Sequence, residues 1–210
     1  MNPLTRHTAG LVLLAILAGC DTSKVVATAR VELDAPTADQ AAQTAVVLQK
    51  RFSELASGFS KVSATASGSG VDLVFTGDAP ADDVIRRYAS TRGIFRMFAP
   101  DMPNMILVSD QDVEAVGATQ GSNGPAIDIK LSDRAGERLL RHTSRNVGRL
   151  LVTSWDGKEE FRATIHDAFG ERFQTTGVDA ETALLRVVML RHGRLPVRVA
   201  SVEIRHPQAS

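Results

Sequence analysis

The chain of 210 residues has one cysteine, no net charge and, after its first twenty residues, no long apolar run. Each shortage removes a class of function. A single thiol leaves no intrachain disulfide and no thiolate metal site. The 24 basic residues balance the 24 acidic ones, which argues against a nucleic-acid binder, whose footprint is a basic surplus. A spanning helix needs ~20 apolar residues, and no later segment is long enough. His142, His166, His192 and His206 show no HExxH or other metal spacing. Serine, histidine and aspartate are present without a GxSxG elbow. Gly117, Gly121 and Gly124 lack the strand-to-helix setting and the lysine of a phosphate loop. No catalytic residue, metal ligand or cofactor is therefore expected, and the chain is read as a non-enzyme.

What is present begins at the first residue. Residues 1–8 are polar and carry Arg6, residues 9–18 are unbroken apolar, and Leu17-Ala18-Gly19-Cys20 follows. A basic end, a greasy centre and small residues before a cut form an export signal. As a helix the centre reaches about 15 Å, half of a hydrocarbon core of ~30 Å, so it is a signal rather than a span. Leu17-Ala18-Gly19-Cys20 resembles the bacterial lipobox. That resemblance implies that residues 1–19 are removed, that the Cys20 thiol takes a diacylglyceryl group and that the new amino end is acylated. Each buried methylene contributes about 0.8 kcal/mol, and two or more acyl chains anchor stably. A lipidated thiol is no longer a nucleophile. Asp21 resembles the enteric signal that retains a lipoprotein in the inner membrane. The expected place is thus the periplasmic side of a bacterial membrane, the inner membrane favoured by Asp21, with membrane lipid as a partner through Cys20.

Beyond the signal the chain reads as α+β. Residues 25–34 alternate apolar and polar, a strand with one buried face. Thr37 and Gln40 make a capping-box pattern, and Ala41, Ala45, Leu48, Phe52 and Leu55 form the stripe of an amphipathic helix ended by Gly58. Residues 61–66 and 71–76 read as strands joined through Ser67-Gly68-Ser69-Gly70. A second helix follows Asp78 and Pro80 and closes at Gly93, and residues 93–99 make a further strand. The order is βαββαβ, the ferredoxin-like arrangement. Pro100, Pro103 and Asn104 mark a joint. After it come the short apolar run 106–108, an acidic turn capped by Ser109, a Gly/Ser/Asn-rich loop over 118–125 and a strand over 126–131. A helix from Ser132 ends at Gly148, a hairpin folds around Asp156-Gly157, a helix runs from Asp179 to Gly193, and a strand covers 197–204. The predicted organisation is a signal over 1–19, a ferredoxin-like base lobe over 20–102 with a return strand over 196–207, and a second α+β head lobe over 103–195.

The second lobe carries Leu131-Ser132-Asp133-Arg134-Ala135-Gly136, Thr143, Asn146-Val147-Gly148-Arg149-Leu150, Asp156-Gly157-Lys158 and Gly193-Arg194-Leu195-Pro196-Val197. This series resembles the first large periplasmic domain of SecD, a subunit of the bacterial protein-export machinery, and residues 106–117 resemble the opening of its head. The resemblance covers residues 25–207, strongest over 126–197. It implies a ferredoxin-like base with a mobile head, and as partners exported or unfolded polypeptides or the Sec translocase. It supplies no catalytic residue. His192 and Arg194 stand where that family has small residues, and the spans that carry its proton coupling are missing. The expected function is a membrane-tethered periplasmic binding module. The alternative is an envelope adaptor lipoprotein that keeps the fold without an export role.

Two groups are candidate contact residues. Met102 and Met105 at the joint, with Phe161, Phe169 and Phe173 in the second lobe, either pack in the core or present flexible apolar contacts to polypeptide. Arg134, Arg138, Arg141 and Arg145 recur by four, three and four along one helix, either as a basic stripe for anionic headgroups or an acidic partner, or as a solvated face partly balanced by Glu137. Gly148, Asp156, Gly157, Gly193 and Pro196 are read as turn and helix-end residues, and Asn146 as a partner of local backbone.

Overall fold

A computed structural model describes residues 24–56, 61–121 and 124–207. The signal over 1–19, Cys20, Asp21 and Gly58 lie outside these residues. The base opens with β1 (Val25–Leu33), whose Ala27, Ala29, Val31 and Leu33 are buried in strict alternation. Helix α1 (Ala38–Leu55) follows. Its capping box is formed on both sides, with Gln40 N–H donating to Thr37 Oγ1 and Thr37 N–H to Gln40 Oε1. Strands β2 (Lys61–Ser67) and β3 (Gly70–Thr76) pair as a hairpin, and α2 (Asp82–Ser90) follows. The chain leaves the base here and returns as β11 (Val199–Arg205). The sheet order is β11-β1-β3-β2, antiparallel throughout. Both helices cover one face, where Leu48, Phe52, Ile85 and Tyr88 bury against Leu73 and Phe75. The ferredoxin-like expectation holds with one strand displaced. Of the strands expected in the base after β3, the one over residues 93–99 is not in the sheet, while the return strand expected over 196–207 is, as β11 on the free edge of β1. Short-range periodicity cannot tell which sheet a strand joins.

The displaced strand, β4 (Phe95–Phe98), starts a second sheet with β5 (Ile106–Ser109), β8 (Leu150–Trp155) and β9 (Lys158–Thr164), in the order β5-β4-β8-β9. A third sheet, order β10-β7-β6, comprises β6 (Val113–Gly121), β7 (Gly124–Leu131) and β10 (Arg172–Thr176). Residues 118–121, expected in a loop, belong to β6, because pairing along all of β7 supplies the hydrogen bonds their small side chains cannot specify. No periodicity announced β10. Its five residues are mostly exposed, and it is a strand through its register with β7, from Arg172 opposite Lys130 to Thr176 opposite Ala126. Helix α3 (Asp133–Arg145) packs on β5 and β7, and α4 (Ala180–His192) starts at Asp179, whose carboxylate accepts from Thr182 N–H. α4 lies against β6 and β7 on one side and α1 on the other. Its buried residues Ala183, Arg186, Val187, Val188, Met189 and Leu190 go nearly all the way round, as a helix enclosed between layers requires.

One side chain joins the layers. Arg51 of α1 has no exposed surface. Its Nη1 donates to the carbonyls of Tyr88 (3.2 Å) and Thr91 (2.6 Å), and its Nη2 to those of Arg92 (2.9 Å) and Gly193 (2.7 Å). The end of α2, the start of the second lobe and the end of α4 thus meet on one guanidinium. Burial lowers its pKa to about 9, opposed by the charge of Asp156, so it stays protonated at neutral pH. Gly93 makes the approach possible. Its φ is +85°, and a Cβ there would stand 3.1 Å from Arg51 Nη2 and 3.2 Å from Met189 Cβ. Asp156, beyond its place in the Asp156-Gly157 turn (φ 48° and 83°), accepts from the N–H groups of Arg92 and Ile94 at 3.0 and 2.8 Å. Replacing Arg51 by Met leaves four carbonyls without this partner, at about 1–3 kcal/mol for a fully stranded group. We predict a loss of at least about 3 kcal/mol in urea unfolding of Arg51→Met, and recovery of less than half of it by Arg51→Lys, which lacks the planar fork.

Candidate functional site

Three of the five apolar candidates come together. Phe161, Phe169 and Phe173 line one cleft of about 370 Å³, with Met97, Leu151, Thr153, Ala163 and β10 residues Gln174, Thr175 and Thr176. Its floor is the face of the sheet that holds β4, β8 and β9, and its far wall is β10. β9 ends one sheet and β10 ends the other, so each has an unpaired edge among the described residues. All three phenylalanines are half-buried, which leaves aromatic surface towards the opening. Met102 and Met105 do not line the cleft. They stand in the connection from β4 to β5, 41% and 43% exposed.

Each ring is held by a different device. Phe169 lies in the connection between β9 and β10, which is fixed to α3 through Thr143. The buried Thr143 hydroxyl donates to the Phe169 carbonyl at 2.7 Å and accepts from the Phe169 N–H at 3.0 Å. The same connection runs so close to α3 that a Cβ on Gly136 would stand 2.8 Å from Glu171 Cα. Gly136 belongs to the motif that carried the family resemblance, and the close backbone approach is its physical reason. Phe173 projects from β10 and meets Phe169 at 5.8 Å between ring centroids, at an interplanar angle of 57°. Phe161 is held from below by Arg186 of α4, which is 7% exposed. The guanidinium lies 5.5 Å from the Phe161 centroid and 5.3 Å from that of Trp155, and it pairs with Glu160. Cation–π contacts of this kind are favourable because the cation meets the negative ring face. Sequence reading missed Arg186 and β10. Neither leaves a local signal, since one is an arginine in an apolar helix and the other a polar strand.

The four arginines of α3 are not equivalent. Arg138 is half-buried and bonds the Leu107 carbonyl (2.7 Å) and Asp112 (2.9 Å), tying α3 to β5 and the turn over Asp110–Asp112. Burial opposes the charge on Asp112, but the N–H and hydroxyl of Ser109 together with Arg138 outweigh it and hold that carboxyl below its ordinary pKa. Arg141 pairs with Glu137 at 3.4 Å, while Arg134 and Arg145 are exposed without an ion pair among the described residues. Only part of the stripe is therefore free surface. Asn146 donates to the His142 carbonyl at 2.8 Å, the local backbone bond expected of it. Among the described residues, no three His, Cys, Asp or Glu side chains group as a metal site, and no helix is long and apolar enough to cross a membrane.

A protein-family model, the SecDF P1 head subdomain, matches residues 102–197. The protein translocase subunit SecD of Acidaminococcus fermentans is 29% identical over 108 residues, 50% of this chain and 26% of that one. A crystal structure of SecDF in its super-membrane-facing form matches with a TM-score of 0.67 at 18% identity, over 85% of this chain and 30% of the other. A second SecDF structure, described as a membrane component that enhances protein export, gives a TM-score of 0.65 at 17% identity, over 87% of this chain and all of the other. The structural likeness is one of fold, and the chain spans about a quarter of the curated relative it matches. In sequence and fold it is similar to the periplasmic domain of SecD.

The Thr143 bond gives a direct check. In Thr143→Val, which keeps the shape and removes the hydroxyl, the Phe169 N–H and carbonyl lose their partner. We predict about 1–3 kcal/mol of destabilisation, with amide hydrogen exchange accelerated first over residues 166–171. Uniform acceleration over the whole chain would contradict this local role.

Proposed function

We propose that this chain is a periplasmic binding module of the protein-export kind, taking apolar side chains of an exported or unfolded polypeptide into the cleft between β9 and β10. The observation that carries the reading is the convergence of Phe161, Phe169 and Phe173 from a hairpin, a connection and an edge strand on one opening. An extended chain laid along the free edge of β10 would find unpaired main-chain groups beside a pocket for alternate side chains, the physics of strand addition. Recognition through backbone and apolar surface tolerates many sequences, which a module for unfolded chains needs. In this reading the chain binds and does no chemistry. It is held at the periplasmic face of the inner membrane through lipid on Cys20, and Met102 and Met105 serve no more than a peripheral role.

A second reading, an adaptor that keeps the fold without an export role, is favoured by the seam between α1 and α4. Glu54 there pairs with both Arg191 and His192, a contact that opposes motion of the lobes. It calls for one folded partner rather than many chains.

Each buried phenylalanine contributes about 1.5–3 kcal/mol, so losing one weakens binding by about tenfold or more. Phe169→Ser and Phe173→Ser are each expected to do so for a fluorescently labelled, permanently unfolded polypeptide, whereas Met102→Ser with Met105→Ser leaves affinity within about twofold. Unchanged affinity in a folded Phe173→Ser variant would remove the cleft from the account. For the tether, Cys20→Ala is expected to move the chain from the membrane to the soluble fraction of the cell envelope. A variant that stays membrane-bound would rule the lipid out as its anchor.

A further inference from the structure

A second groove lies on the other side of the molecule, along the seam. Its walls are Ala42, Gln43, Val46 and Val47 of α1, facing Arg92, Ile94 and Arg96 and then Arg194 and Pro196 where the chain leaves α4. Its volume of about 840 Å³ makes it the roomiest of these clefts, near the top of the range of about 300–1,000 Å³ for ligand sites. Three arginines line it and no carboxylate does. Arg92 and Arg96 make no ion pair among the described residues, and the buried Arg92 Nε has no hydrogen-bond partner. Of the nearest acids, one is committed to backbone and the other faces Arg194. Asp156 holds the N–H groups of Arg92 and Ile94, and Asp110 lies 3.8 Å from Arg194 with its side chain nearly enclosed. Between the charges the surface is apolar, and Val46 is 54% exposed.

We propose that this groove binds an acidic, extended segment of polypeptide, its carboxylates on Arg96, Arg194 and Arg92 and its apolar side chains on Val46, Val47 and Pro196. Charge complementarity selects an anion, and guanidinium forks suit carboxylates. The placement selects a chain over a single headgroup. The arginines come from two separate segments and are interleaved with apolar side chains, so they offer a row of contacts rather than one convergent cradle. The site is separate from the phenylalanine cleft and goes beyond the reading of that cleft. It would give the module a sequence preference that apolar capture alone lacks.

The test uses the full chain and a fluorescein-labelled peptide of alternating glutamate and leucine, with a glutamine-for-glutamate peptide as control. Binding of the first and not the second is expected. Arg96→Gln and Arg194→Gln should each weaken it by about tenfold and leave the Tm within about 2 °C, since both side chains are exposed. Phe173→Ser should leave this binding unchanged. Equal binding of both peptides, or equal affinity in the arginine variants, would overturn the proposal. So would a loss in Phe173→Ser matching theirs, which would put the peptide in the apolar cleft. Phosphatidylglycerol vesicles that bind through the same arginines while the peptide does not would assign the groove to headgroups and overturn it as well.

Discussion

A guanidinium without solvent is costly to bury, and Arg51 offsets that cost by giving its two terminal nitrogens to four main-chain carbonyls from three parts of the chain. The base, the start of the second lobe and the end of α4 meet there because the charge needs acceptors and the carbonyls at two helix ends need donors. The two needs are complementary, so one residue fixes both the exit from the base and the return to it. Gly93 supplies the left-handed turn and the space, and Asp156 holds the following N–H groups from the other side. The second lobe begins and ends at this junction. The cleft is placed by it indirectly, since β4 leaves from Gly93 and pairs with β8, whose turn carries Asp156.

The cleft itself is a consequence of sheets that stop. Two sheets end in β9 and β10 without meeting, and the connection between them crosses α3 with Gly136 and Gly170 against its path. A larger residue at either position would push the Phe169 connection away from α3. On the floor, Arg186 sits below Phe161 and Trp155, a charged group that stiffens an aromatic wall while α4 belongs mainly to the seam. The cleft wall and the seam therefore both rest on α4.

Much of this was legible in the sequence. Alternation located β1, the capping box located α1, and the Asp156-Gly157 pair located the β8–β9 hairpin. Phe161, Phe169 and Phe173 were singled out for being apolar near a hairpin and loop, and the fold brings them together. What sequence did not show is of another kind. The return strand was foreseen as part of the base, but the departure of β4 from that sheet to pair with β5 and β8 is a long-range matter that periodicity does not encode. β10 has too little apolar alternation to stand out and exists through its partner β7. Arg51 reads locally as one more polar residue among α1's hydrophobic positions, and its burial follows only from three distant carbonyl groups and Gly193 arriving around it. Met102 and Met105 drew attention for the flexibility of their side chains, and the fold leaves them outside the cleft.

The proposed function requires the cleft between β9 and β10 to receive many different polypeptides in the cell. The direct measurement is a photo-activated crosslinker at Phe169 of the full chain in living cells, with the captured proteins identified by mass spectrometry. Many unrelated exported chains, lost when Phe173 is replaced by Ser, are the result predicted here. Repeated capture of one folded partner, or a spectrum unchanged by that replacement, would contradict it.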